Sequence, residues 1–159
     1  MYKRQSESLG ENGVTSNYRY DLAPYTWELV QEMNGKNAIF TQPPMPIKCA
    51  GAPQKAMYLS CDHWQKSGQL EEMNVSFCNA GPVLFGCATY VPPLMKYVEK
   101  YGINLDFGHN LTKIDGPSKK AWFSVKKEGE DAKTIERSFD MIHICPPQRA
   151  PDFIKNSPL

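Results

Sequence analysis

The chain has 159 residues, 41% of them hydrophobic and 22% charged, the make-up of one ordinary globular domain with one core. Its 18 basic and 17 acidic side chains leave a formal net charge of +1, so no field of one sign is available to gather nucleic acid or an anionic membrane surface. No apolar run approaches the roughly 18 residues that a membrane-spanning helix needs, and the polar start from Met1 to Asn17 has no hydrophobic signal core.

Residues 1–17 are rich in Ser, Glu, Asn and Gly without periodicity and read as a disordered leader. Pro24 suits a first helical turn, and Tyr25 to Asn34 sets Trp27 with Val30 and Leu29 with Met33 at helical spacings, which predicts a short helix closed by Gly35. Asn37 to Thr41 is a compact apolar run ended by Pro43 and Pro44, as a buried strand would be. Pro53 opens a second predicted helix that runs to about Ser67, with Met57, Cys61 and Trp64 on one core-like face and Gly68 as its stop. Asn74 to Cys78 is a second strand. A third helix over Tyr90 to Tyr101 turns Val91, Leu94 and Val98 inward, and Ile103 to Phe107 gives a third strand. Strands alternating with helices and joined by right-handed crossovers predict a Rossmann-like α/β fold with a parallel sheet.

Beyond that point the period changes. Asn110 to Ile114, Lys120 to Lys126 and Thr134 to Arg137 alternate around turns at Asp115-Gly116-Pro117 and Glu128-Gly129-Glu130, which predicts a small antiparallel β-meander. Asp140 to Cys145 is apolar enough to be a buried strand returning to the parallel sheet, and Pro146-Pro147 ends it. The expected organisation is a leader over 1–17, an α/β module over 18–147 and an exit linker over 148–159.

The connection from Gln42 to Ala52 is about twice the usual strand-to-helix length of 2–6 residues. Pro43, Pro44 and Pro46 stiffen it, and it lies on the edge where open parallel sheets bind ligands. Cys49 stands in this loop, close before a helix start and between Lys48 and Lys55, a setting that favours a reactive thiol. On the residues alone, Cys49 is as well read as a small apolar loop residue. Cys61, Cys78 and Cys145 fall among large apolar residues and read as inert core thiols; Cys87, between Gly86 and Ala88, leans the same way. Five widely spaced cysteines suit reduced thiols in a reducing compartment. Neither they nor His63, His109 and His143 have the spacing of a metal site. The hydrolase elbow and the triphosphate-binding loop are missing, and neither 49–53 nor 80–86 reads Gly-x-Gly-x-x-Gly, which argues against tight nicotinamide dinucleotide binding.

Asn-Ala-Ile-Phe-Thr at 37–41, Pro-Ile-Lys-Cys-Ala-Gly-Ala-Pro-Gln-Lys at 46–55 and Met-Tyr-Leu at 57–59 resemble the cysteine segment of sulfide:quinone oxidoreductases, in the branch that includes the mitochondrial enzyme. Phe139 to Leu159, with Pro-Pro at 146–147, Ala-Pro-Asp at 150–152 and Lys-Asn-Ser-Pro at 155–158, resembles the same family, so the likeness runs over nearly everything after residue 17. The resemblance implies a flavoprotein of two dinucleotide-binding domains, with this chain mainly the nicotinamide-domain-like module and a flavin domain largely outside it. It implies that FAD is the cofactor, that sulfide sulfur is taken up as a cysteine persulfide, and that electrons pass to a membrane quinone. Cys49 matches the first of the two cysteines that face the flavin, and its partner falls beyond Leu159. Lys48 is expected to hold the thiolate, and Pro46, Gly51 and Pro147 to lie against the flavin. A peripheral place on the bacterial or mitochondrial inner membrane follows, through segments outside this chain. The competing readings are a non-catalytic domain of a related flavoprotein, a quinone-linked NADH dehydrogenase, and a stand-alone thiol peroxidase or persulfide carrier.

Overall fold

In a computed structural model, residues 8–33, 35–126 and 131–158 are described. The elements run β1 (Val14–Thr15), α1 (Ala23–Gln31), β2 (Asn37–Gln42), α2 (Gly51–Ser67), β3 (Asn74–Asn79), α3 (Val91–Lys100) and β4 (Asn104–Phe107). They continue with β5 (His109–Asp115), β6 (Lys120–Val125), β7 (Lys133–Ser138), β8 (Met141–His143) and a final turn of helix, α4 (Asp152–Lys155). Two sheets result: a parallel sheet in the order β1-β8-β2-β3-β4, and an antiparallel sheet β5-β6-β7. Both were expected from the change of period. Asn34, Glu128-Gly129-Glu130 and Leu159, which the sequence reading assigned to a helix end, a turn and the exit linker, lie outside the described residues.

The parallel strands read as continuous apolar runs because both their faces are covered. On one face Ala38, Phe40, Val75, Phe77 and Met141 pack under the helices with Val30, Met57, Cys61, Trp64 and Val98. On the other, Ile39, Cys78, Ile142 and Ile144 meet Leu111, Ile114, Ala121 and Phe123 of the meander. The helix faces follow the predicted spacing for α2, whose Met57, Cys61 and Trp64 are fully buried. In α3 only Val98 is buried, whereas Val91 and Leu94 are half-buried.

The junction between the sheets is one residue long. Gly108 turns β4 into β5 with φ 71°, and a Cβ there would stand 2.8 Å from the Lys126 carbonyl oxygen. Arg137 of β7 donates to Asp106 of β4 at 2.6 Å and ties the meander to the last parallel strand.

One expectation is corrected. Of the leader over 1–17, residues 8–17 are built into the fold: Val14 and Thr15 pair with Ile142 and His143, and Ser8, Val14, Thr15 and Ser16 are buried. The segment looks disordered in sequence because its strand is only two residues long and most of its contacts are made by the backbone. Gly13, at φ 76°, passes so close to β8 that a Cβ would lie 2.2 Å from the Asp140 carbonyl oxygen. The α/β module therefore begins before residue 18.

Candidate active site at the carboxyl edge of the parallel sheet

β2 and β8 end side by side, and Thr41 joins them. Its hydroxyl donates to the His143 carbonyl at 3.2 Å and accepts from the Cys145 amide at 3.1 Å. From this edge the chain runs through the proline loop to α2, which starts at Gly51, two residues ahead of Pro53. Pro53 thus occupies the first turn, where a missing N–H costs nothing.

Cys49 lies immediately before Ala50, the residue that caps α2, and its carbonyl accepts from the Ala52 amide at 2.9 Å. Cys49 is an exposed free thiol with φ 63°, left-handed backbone that a side-chain-bearing residue keeps only when its surroundings hold it there. Two contacts hold the loop. The Tyr18 hydroxyl donates to the carbonyls of Lys48 and Cys49 at 3.0 and 3.2 Å, and the Lys48 amide donates to Gln148 Oε1 at 2.5 Å. Lys48 therefore engages the site through both its backbone groups, and its side chain is exposed.

The residues singled out from sequence share this edge. Pro46 and Lys48 stand exposed in the loop, Gly51 is the first residue of α2, and Pro147 follows β8 next to Gln148, which docks on Lys48. Tyr18, Gln148 and Cys145 belong to the same cluster but carry no local signal, because their contacts with the loop or with Thr41 span 30 to 104 residues of chain.

Cys145 is 1% exposed, and its amide is held by the Thr41 hydroxyl. Burial pushes its thiol up to about 11, with Tyr18 acting in the opposite direction. Burial also drives the Tyr18 phenol above its usual range, with Cys145 adding to the shift. Cys61 and Cys78, both fully buried, are pushed up to about 12 by burial, so neither supplies thiolate at neutral pH. Beside α2, Gly51, Gln54, Tyr58, Phe85, Tyr90 and Leu94 line an apolar hollow of about 320 Å³. Among the described residues no group of three His, Cys, Asp or Glu could hold a metal ion.

No family model matches the chain. Over 158 residues, 99% of its length, it is 40% identical to the mitochondrial sulfide:quinone oxidoreductase of Dictyostelium discoideum. The chain is a homologue of the mitochondrial sulfide:quinone oxidoreductases. The mouse mitochondrial sulfide:quinone oxidoreductase is 34% identical over 92% of the chain. The chain spans about a third of the length of these relatives, 34% and 32% respectively. The Dictyostelium alignment also takes in most of residues 1–17, which correspond to relatives' sequence and were expected to lie outside the likeness.

Solved structures agree on the fold. The sulfide:quinone oxidoreductase of the hyperthermophilic bacterium Aquifex aeolicus superposes on 89% of the chain with a TM-score of 0.72 at 16% identity, over 33% of its own length. A chain of the Tetrahymena thermophila mitochondrial ATP synthase gives a TM-score of 0.71 at 17% identity over 94% of the chain and 37% of its own length. Likeness at this identity speaks for a shared architecture, which hosts more than one role.

Proposed function

We propose that this chain is the cysteine-bearing third of a sulfide:quinone oxidoreductase, in which Cys49 takes up sulfide sulfur as a persulfide and the electrons leave through FAD to a quinone. The observation that carries the reading is the position of Cys49. It is an exposed thiol in left-handed backbone at the carboxyl edge of a parallel sheet, one residue before the cap of α2. Identity of 34–40% to mitochondrial sulfide:quinone oxidoreductases supports the family chemistry. The quinone-linked NADH dehydrogenase reading loses ground here, because the strand-to-helix turn that would cradle a dinucleotide carries the proline loop instead.

The residues of this edge fit one face of a flavin ring. The loop prolines and the Cys49 thiol give an apolar wall, and the buried Gln42 Oε1 and Gln148 Nε2, one acceptor and one donor, have no protein partner. A flavin held there would supply the two-electron acceptor that is needed to join a thiol and sulfide as a persulfide and release two protons. Pro46, Lys48, Gly51 and Pro147 would bound the ring through the loop, the start of α2 and the segment after β8. Tyr18 and Gln148 hold the backbone of the loop that carries Cys49. The same reading places the whole protein on the mitochondrial inner membrane, through sequence by which the relatives exceed this chain; no helix of the described residues is long and apolar enough to cross a membrane.

The test is a chimera in which this chain replaces the aligned third of the Dictyostelium enzyme, with flavin bleaching by sulfide followed by absorbance. Bleaching should be slowed by orders of magnitude in Cys49→Ser. Equal rates in the two proteins would reduce Cys49 to a loop residue and remove the chemical basis of the reading.

A further inference from the structure

We propose that the apolar hollow between α2 and α3 is a binding site for a small aromatic molecule that carries one hydrogen-bond donor, a substituted phenol in chemical class, and that Gln54 sets this preference.

The hollow encloses about 320 Å³, room for a substituted single ring, and three elements build it. Gln54 and Tyr58 come from α2, Phe85 from the chain that follows β3, and Leu94 from α3. Phe85 and Tyr90 meet edge to face with centroids 6.2 Å apart and give it an aromatic wall, the kind of surface on which a further ring stacks. The Tyr58 hydroxyl is turned to the Leu94 carbonyl at 3.5 Å, so the polar end of that side chain is taken up between the helices. The turn after β3 is held in place from within. Asn79, fully buried at the end of β3, donates to the Val83 carbonyl at 2.8 Å and accepts from the Gly81 amide at 2.8 Å, and this fixes the segment that presents Leu84 and Phe85. The hollow is therefore pre-formed, and the exposed side chains of Lys55 and Tyr90 stand at its rim.

Gln54 decides what fits. It is 2% exposed and lines the hollow. Its amide nitrogen donates to the Leu84 carbonyl at 2.7 Å and to the Ala50 carbonyl at 3.4 Å. Both partners are acceptors, so the amide cannot be turned over, and both of its hydrogens are committed. What remains is the oxygen, which is buried without a partner. An unpaired buried acceptor is unfavourable, and a methionine would fill the same space without one. A ligand hydroxyl satisfies that oxygen. A carbonyl or carboxylate would set a second acceptor against it, so the hollow selects a donor on an apolar body. Phenols meet this description, since they keep their proton at neutral pH.

The experiment titrates the isotope-labelled chain with p-cresol and with p-xylene, which has a methyl group in place of the hydroxyl, and follows the amide resonances by NMR. p-Cresol should shift the backbone amides of Gly51, Phe85 and Leu94 as one cluster and should move the side-chain amide of Gln54, which p-xylene should leave in place. In Gln54→Met the dissociation constant of p-cresol should rise about fivefold, the effect of one hydrogen bond, while that of p-xylene stays within about twofold. Leu94→Trp fills the hollow from a half-buried position and should abolish the binding of both. Shifts by p-cresol that are absent or scattered over the surface overturn the site, as does binding that survives Leu94→Trp. A Gln54 side-chain amide that p-cresol leaves in place overturns the role of Gln54 and with it the ligand class, and this result is read on the wild type, with no variant required to fold.

Discussion

Tyr18 and Cys49, 31 residues apart in the chain, are joined by a hydrogen bond of 3.2 Å from the phenol hydroxyl to the backbone carbonyl. With the companion bond to Lys48 at 3.0 Å, this contact ties residues next to β1 to the loop that presents the exposed Cys49 thiol. Left-handed backbone at a non-glycine residue costs about 1–2 kcal/mol, and a partly exposed hydrogen bond returns about 1 kcal/mol, so the tyrosine offsets much of what the Cys49 conformation costs.

Removing that hydroxyl should loosen the loop. In Tyr18→Phe the peptide bond after the exposed Lys48 is expected to be cut by trypsin several-fold faster than in the wild type, since about 1 kcal/mol changes an opening equilibrium roughly fivefold. Burial holds the phenol above its usual range, so the hydroxyl keeps its proton throughout the range of the assay and the difference should not vary with pH. Equal cleavage of the two proteins would mean that Gln148 alone holds the loop.

The thiols should divide by access. Under native conditions an alkylating reagent is expected to label Cys49 and Cys87, which are exposed, and to spare Cys61, Cys78 and Cys145 until denaturant is added. Burial raises the three protected thiols to about 12, 12 and 11, so accessibility and thiolate supply act in the same direction. Native labelling of Cys61 or Cys78 at the rate of Cys87 would show that the core opens far more readily than its packing implies.

The division between what could and could not be read from sequence follows the range of the interactions. The strands, helices and meander were legible because apolar period and turn residues act over a few positions, and Phe40, Met57 and Trp64 are buried where their spacing put them. The exposed loop position of Cys49 was legible for the same reason, in an over-long connection between a strand and a helix. Tyr18, Gln148 and Cys145 reach the site only after parallel strands from distant parts of the chain come together, and no short window contains that information. The leader was misread on composition: its burial depends on backbone pairing with β8, to which polar residues such as Thr15 and Ser16 are no obstacle.

Trp64 anchors the helix layer. It is fully buried, and its indole N–H donates to the Val30 carbonyl at 2.9 Å across α1 and α2. Trp64→Phe should lower the unfolding free energy by about 1–3 kcal/mol, because it keeps most of the packing and leaves that carbonyl unpaired. Trp64→Ala, which also opens a cavity, should cost about 3–5 kcal/mol. Urea unfolding monitored by circular dichroism measures both. If the two variants were equally stable, the hydrogen bond would carry the whole effect and the packing none.

His143 makes stability depend on pH in a direction that can be worked out. It is fully buried, stacks on Phe40 and accepts the Asn17 amide at Nε2 over 3.1 Å, and burial lowers its pKa from 6.5 to about 4. The unfolded chain therefore binds a proton more readily than the folded one between those two values. Stability is highest above the unfolded value, falls as the pH drops through it, and levels off below about 4, for a total of about 3 kcal/mol from this residue. Between about pH 7.5 and about pH 5 the wild type should lose roughly 2 kcal/mol more than His143→Gln, whose side chain cannot titrate and whose amide oxygen can still accept from Asn17. Urea titrations of both proteins at the two pH values give the comparison directly. Parallel losses would mean that the imidazole is protonated in the fold as easily as outside it, despite its burial.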